Sequence, residues 1–220
     1  MKKTIFILGV LMTTMASAQI KYGIKGGLIG SNLTEKDDSE SARFVNGTKY
    51  SFYGGGLVEY KFKPNWAFQA ELLYANVGYK YEDEYTYNDN NGVQTTQNNK
   101  YSLNVHQVVL PLSVKYYANT DFNVSAGFNL GYFISGEHKS QFNHGEESKR
   151  DIFDEEVWGG KPSHFYAGPF VGAEYNFKNG LFIDGRYNWG VTDFKLWKSD
   201  DKGEDKEFVN SFQIGLGYKF

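Results

Sequence analysis

The sequence contains no cysteine, which excludes disulfide scaffolds, thiolate metal sites and cysteine nucleophiles. It has only 4 prolines in 220 residues, and its 23 lysines and arginines are outnumbered by 26 aspartates and glutamates. The resulting net charge of −3 argues against a nucleic-acid-binding protein, which usually presents a basic face. No segment approaches the roughly 18 consecutive apolar residues that suggest a transmembrane helix.

Aromatic residues and glycine are abundant instead. Aromatic side chains make up 18% of the chain, and there are 25 glycines. The mean hydropathy of −0.53 is typical of a water-soluble chain, yet this aromatic and glycine content is unusual for one. A transmembrane β-barrel reconciles the two observations, because only every second residue of its strands faces lipid and the average stays low.

Residues 1–18 have the organisation of a secretory signal peptide. Lysines near the start give a positive region, an uncharged apolar stretch follows, and the small residues Ala16, Ser17 and Ala18 close it. Signal peptidase reads this order of regions, and the apolar stretch is too short to span a bilayer as a helix. We therefore expect cleavage after Ala18 and export of a single mature domain, residues 19–220.

The mature chain alternates between apolar and polar or small residues with a period of two, which indicates half-exposed β-strands. The clearest segment has Phe, Val, Ala, Phe, Leu, Tyr and Ile on the even positions of residues 122–135, with Asn, Ser or Gly at every odd position except Phe133. The pattern predicts an all-β protein: a closed, antiparallel, up-and-down transmembrane β-barrel of eight strands. The predicted strands fall within residues 20–28, 51–62, 66–74, 107–116, 122–135, 165–177, 181–191 and 211–220.

The connections between these strands alternate in length. Turn-forming residues make three short connections, and the other four are long and polar. Short periplasmic turns and long extracellular loops are typical of outer-membrane barrels, and an even number of strands places both termini in the periplasm. The short turns are residues 63–65, 118–121 and 178–180, and the long loops are residues 31–49, 83–100, 136–163 and 193–207.

The alternation is interrupted once. Leu103 and Val105 are apolar at odd positions, whereas the apolar positions from Val108 onward are even. A β-bulge near His106 and Gln107 would absorb such a one-residue shift. Alternatively, the strand leaves the membrane here and the preference of each face no longer holds.

The less apolar face of the strands is predicted to line the lumen. It is rich in Gly, Asn, Ser and Gln and has only one or two charges per strand, whereas a water-facing exterior would carry many more. Because an eight-stranded barrel is just wide enough for side chains to fill it, we expect these charges to pair in the interior and close it. A proton or ion path along them is the alternative. The predicted interior charge network is Lys25, Glu59, Lys61, Glu71, Lys115, Glu174, Asp184, Arg186 and Lys219.

The C-terminal octapeptide resembles the β-signal that the outer-membrane barrel assembly machinery reads, with Gln213, Gly215, Tyr218 and Phe220 at the positions of its polar, glycine and aromatic residues. Further segments are similar to the PorT-like outer-membrane β-barrel domain family. These segments are residues 22–27, 110–116 and 184–190. The resemblance covers essentially the whole mature chain and implies an eight-stranded barrel of a Gram-negative outer membrane. The family's founding member assists a protein-secretion system, and the family supplies no catalytic residue.

Candidate chemistry is sparse. His138 and His144 lie among acidic residues of the third long loop, but their spacing is not a recognised metal-ligand set. Ser163 and His164 lie where a strand leaves that loop, so a rim-active enzyme on envelope lipids, such as lipid A, is an alternative, but a nucleophile, a base and an orienting acid are not visible together. No glycine-rich phosphate loop precedes a helix. We expect no cofactor and no metal.

The function expected from the sequence is therefore that of a non-catalytic outer-membrane barrel with a structural, binding or secretion-accessory role. The alternatives are the lipid-modifying enzyme, a small channel, and a soluble ligand-carrying barrel. The expected partners are outer-membrane lipid and lipopolysaccharide, the barrel assembly machinery, and envelope or secretion proteins, with no nucleic acid. We expect a monomer.

Overall fold

The computed structural model describes residues 19–36, 42–44, 47–88, 94–143, 145–154, 164–191 and 206–220. The predicted signal peptide lies outside these residues. Within them, no helix is long and apolar enough to cross a membrane. The strands are β1 (Ile20–Lys36), β2 (Ala42–Phe44), β3 (Lys49–Lys63), β4 (Trp66–Asn88), β5 (Gln94–Tyr117), β6 (Phe122–Phe142), β7 (Ser148–Asp151), β8 (Phe165–Asn176), β9 (Leu181–Asn188) and β10 (Lys206–Lys219).

Eight of these strands form a closed antiparallel ring in which each strand pairs with its neighbours along the chain. The order is β1, β3, β4, β5, β6, β8, β9 and β10, and the pairing of β10 with β1 closes the ring. The closing ladder is long, running from Gly23 opposite Lys219 to Lys36 opposite Lys206. The short strands β2 and β7 pair with the far ends of β1 and β6. The predicted eight-stranded, antiparallel up-and-down barrel is confirmed.

The outer surface of the barrel is apolar. Ile24, Leu28, Ile214 and Leu216 are 61% to 66% exposed, although each is a large aliphatic residue. The residues between them along the strands face inward, and many of these are polar or charged and buried. This inside-out arrangement is expected where hydrocarbon rather than water surrounds the barrel.

The two rims of the barrel differ. At one rim, which we call the short-turn rim, tight turns follow Lys63 and Tyr117, and the first and last strands meet where Phe220 N–H donates to the Tyr22 carbonyl. At the opposite rim, the long-strand rim, β4 and β5 form a hairpin of 23 and 24 residues. A tilted strand needs only about 9–11 residues to span a bilayer. Most of the predicted long connection over residues 83–100 is built as this hairpin.

The interruption at Leu103 and Val105 has an unexpected form. The β5–β6 register shifts between His106 and Gln107, as predicted, but the extra residue is Ile134 of β6. The inward face of β5 therefore does not change: Leu103 and Val105 are buried like Gln107. The predicted bulge is present at this level, but it lies in β6 and leaves the faces of β5 unchanged. Leu103 and Val105 are apolar because the interior itself becomes apolar here.

Candidate functional site

The half of the lumen near the short-turn rim is filled by ion pairs centred on Lys115. Its Nζ lies 2.8 Å from Glu59 Oε2 and 2.7 Å from Glu174 Oε1, and it donates to Gln69 Oε1 at 3.0 Å. Lys219 Nζ contacts the same two carboxylates, at 2.8 Å and 2.6 Å. Lys115 and Lys219 thus share the same two anions. The four residues come from strands that lie on different sides of the barrel.

A second group of charges lies next to the first. Lys25 Nζ is 2.7 Å from Asp184 Oδ2 and 3.3 Å from Glu71 Oε2. Arg186 donates to Glu71 Oε1 at 2.5 Å. Gln69 Nε2 donates to the same Glu71 oxygen at 2.7 Å and so links the two groups. We call the four cations and four anions together the plug: Lys25, Glu59, Glu71, Lys115, Glu174, Asp184, Arg186 and Lys219.

The plug is electrically balanced and almost completely buried. Each of its side chains is 6% exposed or less. Burying unpaired charges is expensive, so the attraction of four positive for four negative groups is what makes the arrangement stable in a closed interior. With Asn123 of β6, which donates to Glu174 Oε1 at 2.9 Å, the network includes a residue from every strand of the ring.

Lys61, the remaining member of the predicted network, lies apart from the plug. It is half-buried, and its Nζ lies 4.2 Å from the centre of the Tyr117 ring, a cation–π contact. Among the described residues it joins none of the ion pairs. Tyr117 in turn donates to Glu59 Oε1 at 2.5 Å. Sequence reasoning missed Tyr117 and Gln69, although both are inward positions of the same alternating pattern.

Above the plug, toward the long-strand rim, the lumen becomes apolar. We call this region the upper chamber, and sequence reasoning did not predict it, because the inward face was expected to be polar throughout. The signal was the pair Leu103 and Val105, whose odd positions are inward. The buried residues of the upper chamber are Ile29, Tyr53, Leu73, Ala75, Val77, Leu103, Val105, Phe133 and Ile152.

The segment that follows β7 covers the upper chamber. Ile152 is fully buried, and its side chain packs so closely on Gly136 that a Cβ there would lie 2.2 Å from Ile152 Cδ1. On the exposed β6–β7 hairpin, Lys139 Nζ lies 3.3 Å from both Glu137 and Glu147. The hydrogen bond from Lys139 lowers the pKa of the Glu147 carboxyl. The charges of this hairpin therefore pair largely with each other.

His164 is held by neighbouring groups. His164 Nδ1 donates to the Phe133 carbonyl at 2.9 Å, and its ring stacks on Phe153 at 4.1 Å between centroids. Ser163 and His144 lie outside the described residues. Among the residues that are described, no cluster of three or more histidine and acidic side chains could hold a metal ion.

Three residues of the predicted assembly signal, Gln213, Gly215 and Tyr218, lie on β10, the strand that closes the ring, and the fourth, Phe220, directly follows it. Gln213 points inward and is buried, whereas Tyr218 and Phe220 are exposed on the outer surface, with ring centroids 6.3 Å apart. Gly215 faces the lumen, where a Cβ would lie 2.1 Å from the Tyr53 hydroxyl. The side chains thus alternate between the lumen and the membrane-facing surface.

A closed antiparallel ring with an apolar exterior and paired charges inside defines an outer-membrane β-barrel protein. A family model described as outer membrane protein beta-barrel domain matches residues 15–196. The chain belongs to this family.

Solved structures of similar fold are outer-membrane and surface proteins. The attachment invasion locus protein Ail of Yersinia pestis, in complex with the heparin analogue sucrose octasulfate, is 14% identical, with 92% of this chain and 99% of that chain covered and a TM-score of 0.50. Neisserial surface protein A is 11% identical over 90% and 97% of the chains (TM-score 0.43). OprG of Pseudomonas aeruginosa is 16% identical over 92% and 96% (TM-score 0.41). The similarity to Ail supports the fold alone. No curated protein matches the sequence.

Proposed function

We propose that this protein is a closed, non-catalytic barrel of a Gram-negative outer membrane that acts by binding at its long-strand rim. The observation that carries the proposal is the plug. Its eight charges form a continuous set of contacts across the lumen, and the upper chamber adds an apolar layer above it. A barrel filled in this way has no continuous water path for ions or solutes.

The orientation in the membrane follows from the difference between the rims. Outer-membrane barrels have short periplasmic turns and longer extracellular connections. We infer that the short-turn rim and both chain ends are periplasmic, that residues 1–18 are a cleaved signal peptide, and that the β4–β5 and β6–β7 hairpins are extracellular. The exported chain would be inserted by the barrel assembly machinery through the signal formed by Gln213, Gly215, Tyr218 and Phe220.

The surfaces left for binding are the apolar exterior and the two extracellular hairpins. The exterior contacts outer-membrane lipid and lipopolysaccharide, and the hairpins offer strand edges and mixed charges to envelope or secretion proteins. The similarity to the PorT-like family favours a secretion-accessory role among these. A non-catalytic role agrees with the use of His164 Nδ1 in a bond to the main chain. We propose that the barrel works as a monomer.

The proposal is tested by electrical recording from the purified, folded full-length protein in planar lipid bilayers. We expect no conductance steps from the wild type. A Lys115→Ala/Lys219→Ala variant leaves Glu59 and Glu174 without their cations, so water should enter the lumen and conductance should appear. Lys61→Ala, which removes a charge outside the plug, is the matched control and should stay silent. Regular conductance steps from the wild type at the same frequency as from the double variant would overturn the proposal and favour a channel.

A further inference from the structure

The upper chamber contains a cavity of about 70 Å³ that the packed side chains do not fill. Its walls are mainly aliphatic and aromatic, with Leu73, Ala75, Leu103, Val105 and Phe133 among them. Protein interiors are normally packed with few voids larger than a water molecule. An apolar cavity kept open in the middle of a barrel is therefore a candidate ligand site.

Two polar groups in this apolar wall have no partner. Gln107 and Gln213 line the cavity and are only 4% and 8% exposed, yet within the described part of the chain neither Oε1 atom accepts a hydrogen bond. The other polar residues of the wall are satisfied: Asn129 Nδ2 donates to Asn188 Oδ1 at 2.9 Å, and Asn188 Nδ2 donates to Ser211 Oγ at 3.1 Å. Native proteins rarely leave buried acceptors unpaired.

One of these amides lies beside an aromatic pair of the wall. The Gln107 side chain is close to the Tyr166 side chain, and the Tyr166 ring stacks on Phe133 at 5.0 Å between centroids. The cavity thus combines apolar walls with two amide oxygens that no described residue pairs.

The cavity also reaches the outer surface of the barrel. Its lining includes Phe165 and Trp189, which are exposed on the membrane-facing side. Here the β8–β9 ladder ends at Phe170 opposite Asn188. In the described part of this seam, one more backbone bond follows, from Trp189 N to the Pro169 carbonyl. Pro169 has no N–H with which to donate a second backbone bond to Trp189. The wall is therefore weakly bonded where the cavity approaches the lipid side.

We propose that the upper chamber binds a small, largely apolar molecule that carries one hydrogen-bond donor, with its apolar body against Leu103 and Val105 and its donor on Gln107 or Gln213. The volume is smaller than the roughly 150 Å³ of an apolar cavity known to take benzene. The cavity is therefore too small to enclose a ring, and a single ring or a short chain extends from it toward the exposed Phe165 and Trp189. The site is independent of the binding role proposed for the long-strand rim.

The test uses a pair of fluorinated probes that differ in the donor. 4-Fluorophenol carries a hydroxyl and 4-fluoroanisole does not, and ¹⁹F NMR titration of the full-length protein in detergent micelles reports the binding of each. We expect saturable binding of 4-fluorophenol that is about tenfold tighter than that of 4-fluoroanisole, the factor that one ordinary hydrogen bond supplies. A Gln107→Leu/Gln213→Leu variant should lose this preference and keep the weaker binding.

A cavity-filling variant separates the chamber from the micelle. Ala75→Phe places a ring in the cavity and should abolish the binding of both probes. Ala70→Phe adds the same ring on the outward face of the same strand and should leave binding unchanged. Heat-modifiable electrophoretic mobility verifies that each variant is folded. If the phenylalanine side chain prevents folding, Ala75→Leu replaces Ala75→Phe.

Two results would overturn the proposal. One is a 4-fluorophenol signal that is equal in the wild type, the cavity-filled variant and empty micelles, as expected if ordered water satisfies the glutamines. The other is equal affinity of the wild type for the two probes. Neither result depends on whether the barrel conducts ions or binds a partner at its rim.

Discussion

At the scale of single residues, Lys115 shows how much of the interior was readable from the sequence. Its odd position in an alternating strand predicts that it points inward, and the need to neutralise buried charge predicts that it has partners. The identity of those partners was not predictable. Glu59 and Glu174 are 56 and 59 residues away in the chain, and only the closed ring and its register bring them to the same level.

Lys115 and Lys61 form a matched pair for measuring what the plug contributes to stability. Lys115→Met should lower the free energy of unfolding by about 3–5 kcal/mol, because buried carboxylates lose a cation. Lys61→Met removes the same charge from a half-buried position with a single aromatic contact and should cost less than about 1 kcal/mol. Urea unfolding of the two variants in lipid vesicles gives the comparison. If the two variants lose equal free energy of unfolding, the ion pairs of Lys115 contribute no stability beyond that of a long side chain.

At the scale of elements, the β4–β5 hairpin and the upper chamber are what the sequence predicted least well. Alternation identifies a strand only where one face meets lipid and the other the lumen. Beyond the membrane both faces of the hairpin meet water, so residues 83–100 lose that contrast although the backbone ladder continues. Within the barrel, Leu103 and Val105 broke the pattern because the lumen there is apolar. The same two residues that looked like an irregularity mark the chamber.

Among the described residues of this hairpin, Gly78 is the one whose backbone requires glycine. Its φ is +146°, and a Cβ would lie 1.9 Å from the Leu103 carbonyl oxygen on the neighbouring strand. Gly78→Ala should therefore reduce the free energy of unfolding by about 1–3 kcal/mol and make the β4–β5 hairpin more sensitive to proteolysis.

Gly56→Ala is the control for Gly78→Ala. A Cβ at Gly56 meets no atom closer than 3.8 Å, so we expect unchanged stability and unchanged proteolysis. If the two alanine variants behave alike, the close approach of Gly78 to β5 does not matter for the hairpin.

At the scale of the whole molecule, the ring is closed by the first and last strands. The sequence predicted this architecture well, since strand number, alternation and the difference between the rims are all local properties of the chain. The closing ladder of β1 and β10 pairs residues nearly two hundred positions apart. A barrel of this kind cannot close until its last strand is present.

The end of β10 offers a test of assembly that is separate from stability. Leu216 of β10 and Phe220, the residue that follows the strand, face the same outward side and are similarly exposed, at 66% and 69%, but only Phe220 belongs to the predicted assembly signal. Phe220→Ala should reduce the amount of heat-modifiable protein in the outer-membrane fraction several-fold, whereas Leu216→Ala should leave it near the wild-type level. A similar decrease for both variants would point to lost lipid contact and would contradict the assignment of the signal.

The length of β4 has a consequence for what the protein can touch. Of its 23 residues, about 11 are enough to cross the hydrocarbon, and the remaining dozen rise about 3.4 Å each along a strand tilted by about 40°. The end of β4 at Asn88 then stands on the order of 30 Å above the hydrocarbon edge. That height exceeds the thickness of a headgroup layer several times, so a large macromolecule can contact this end of the strand while it stays clear of the lipid.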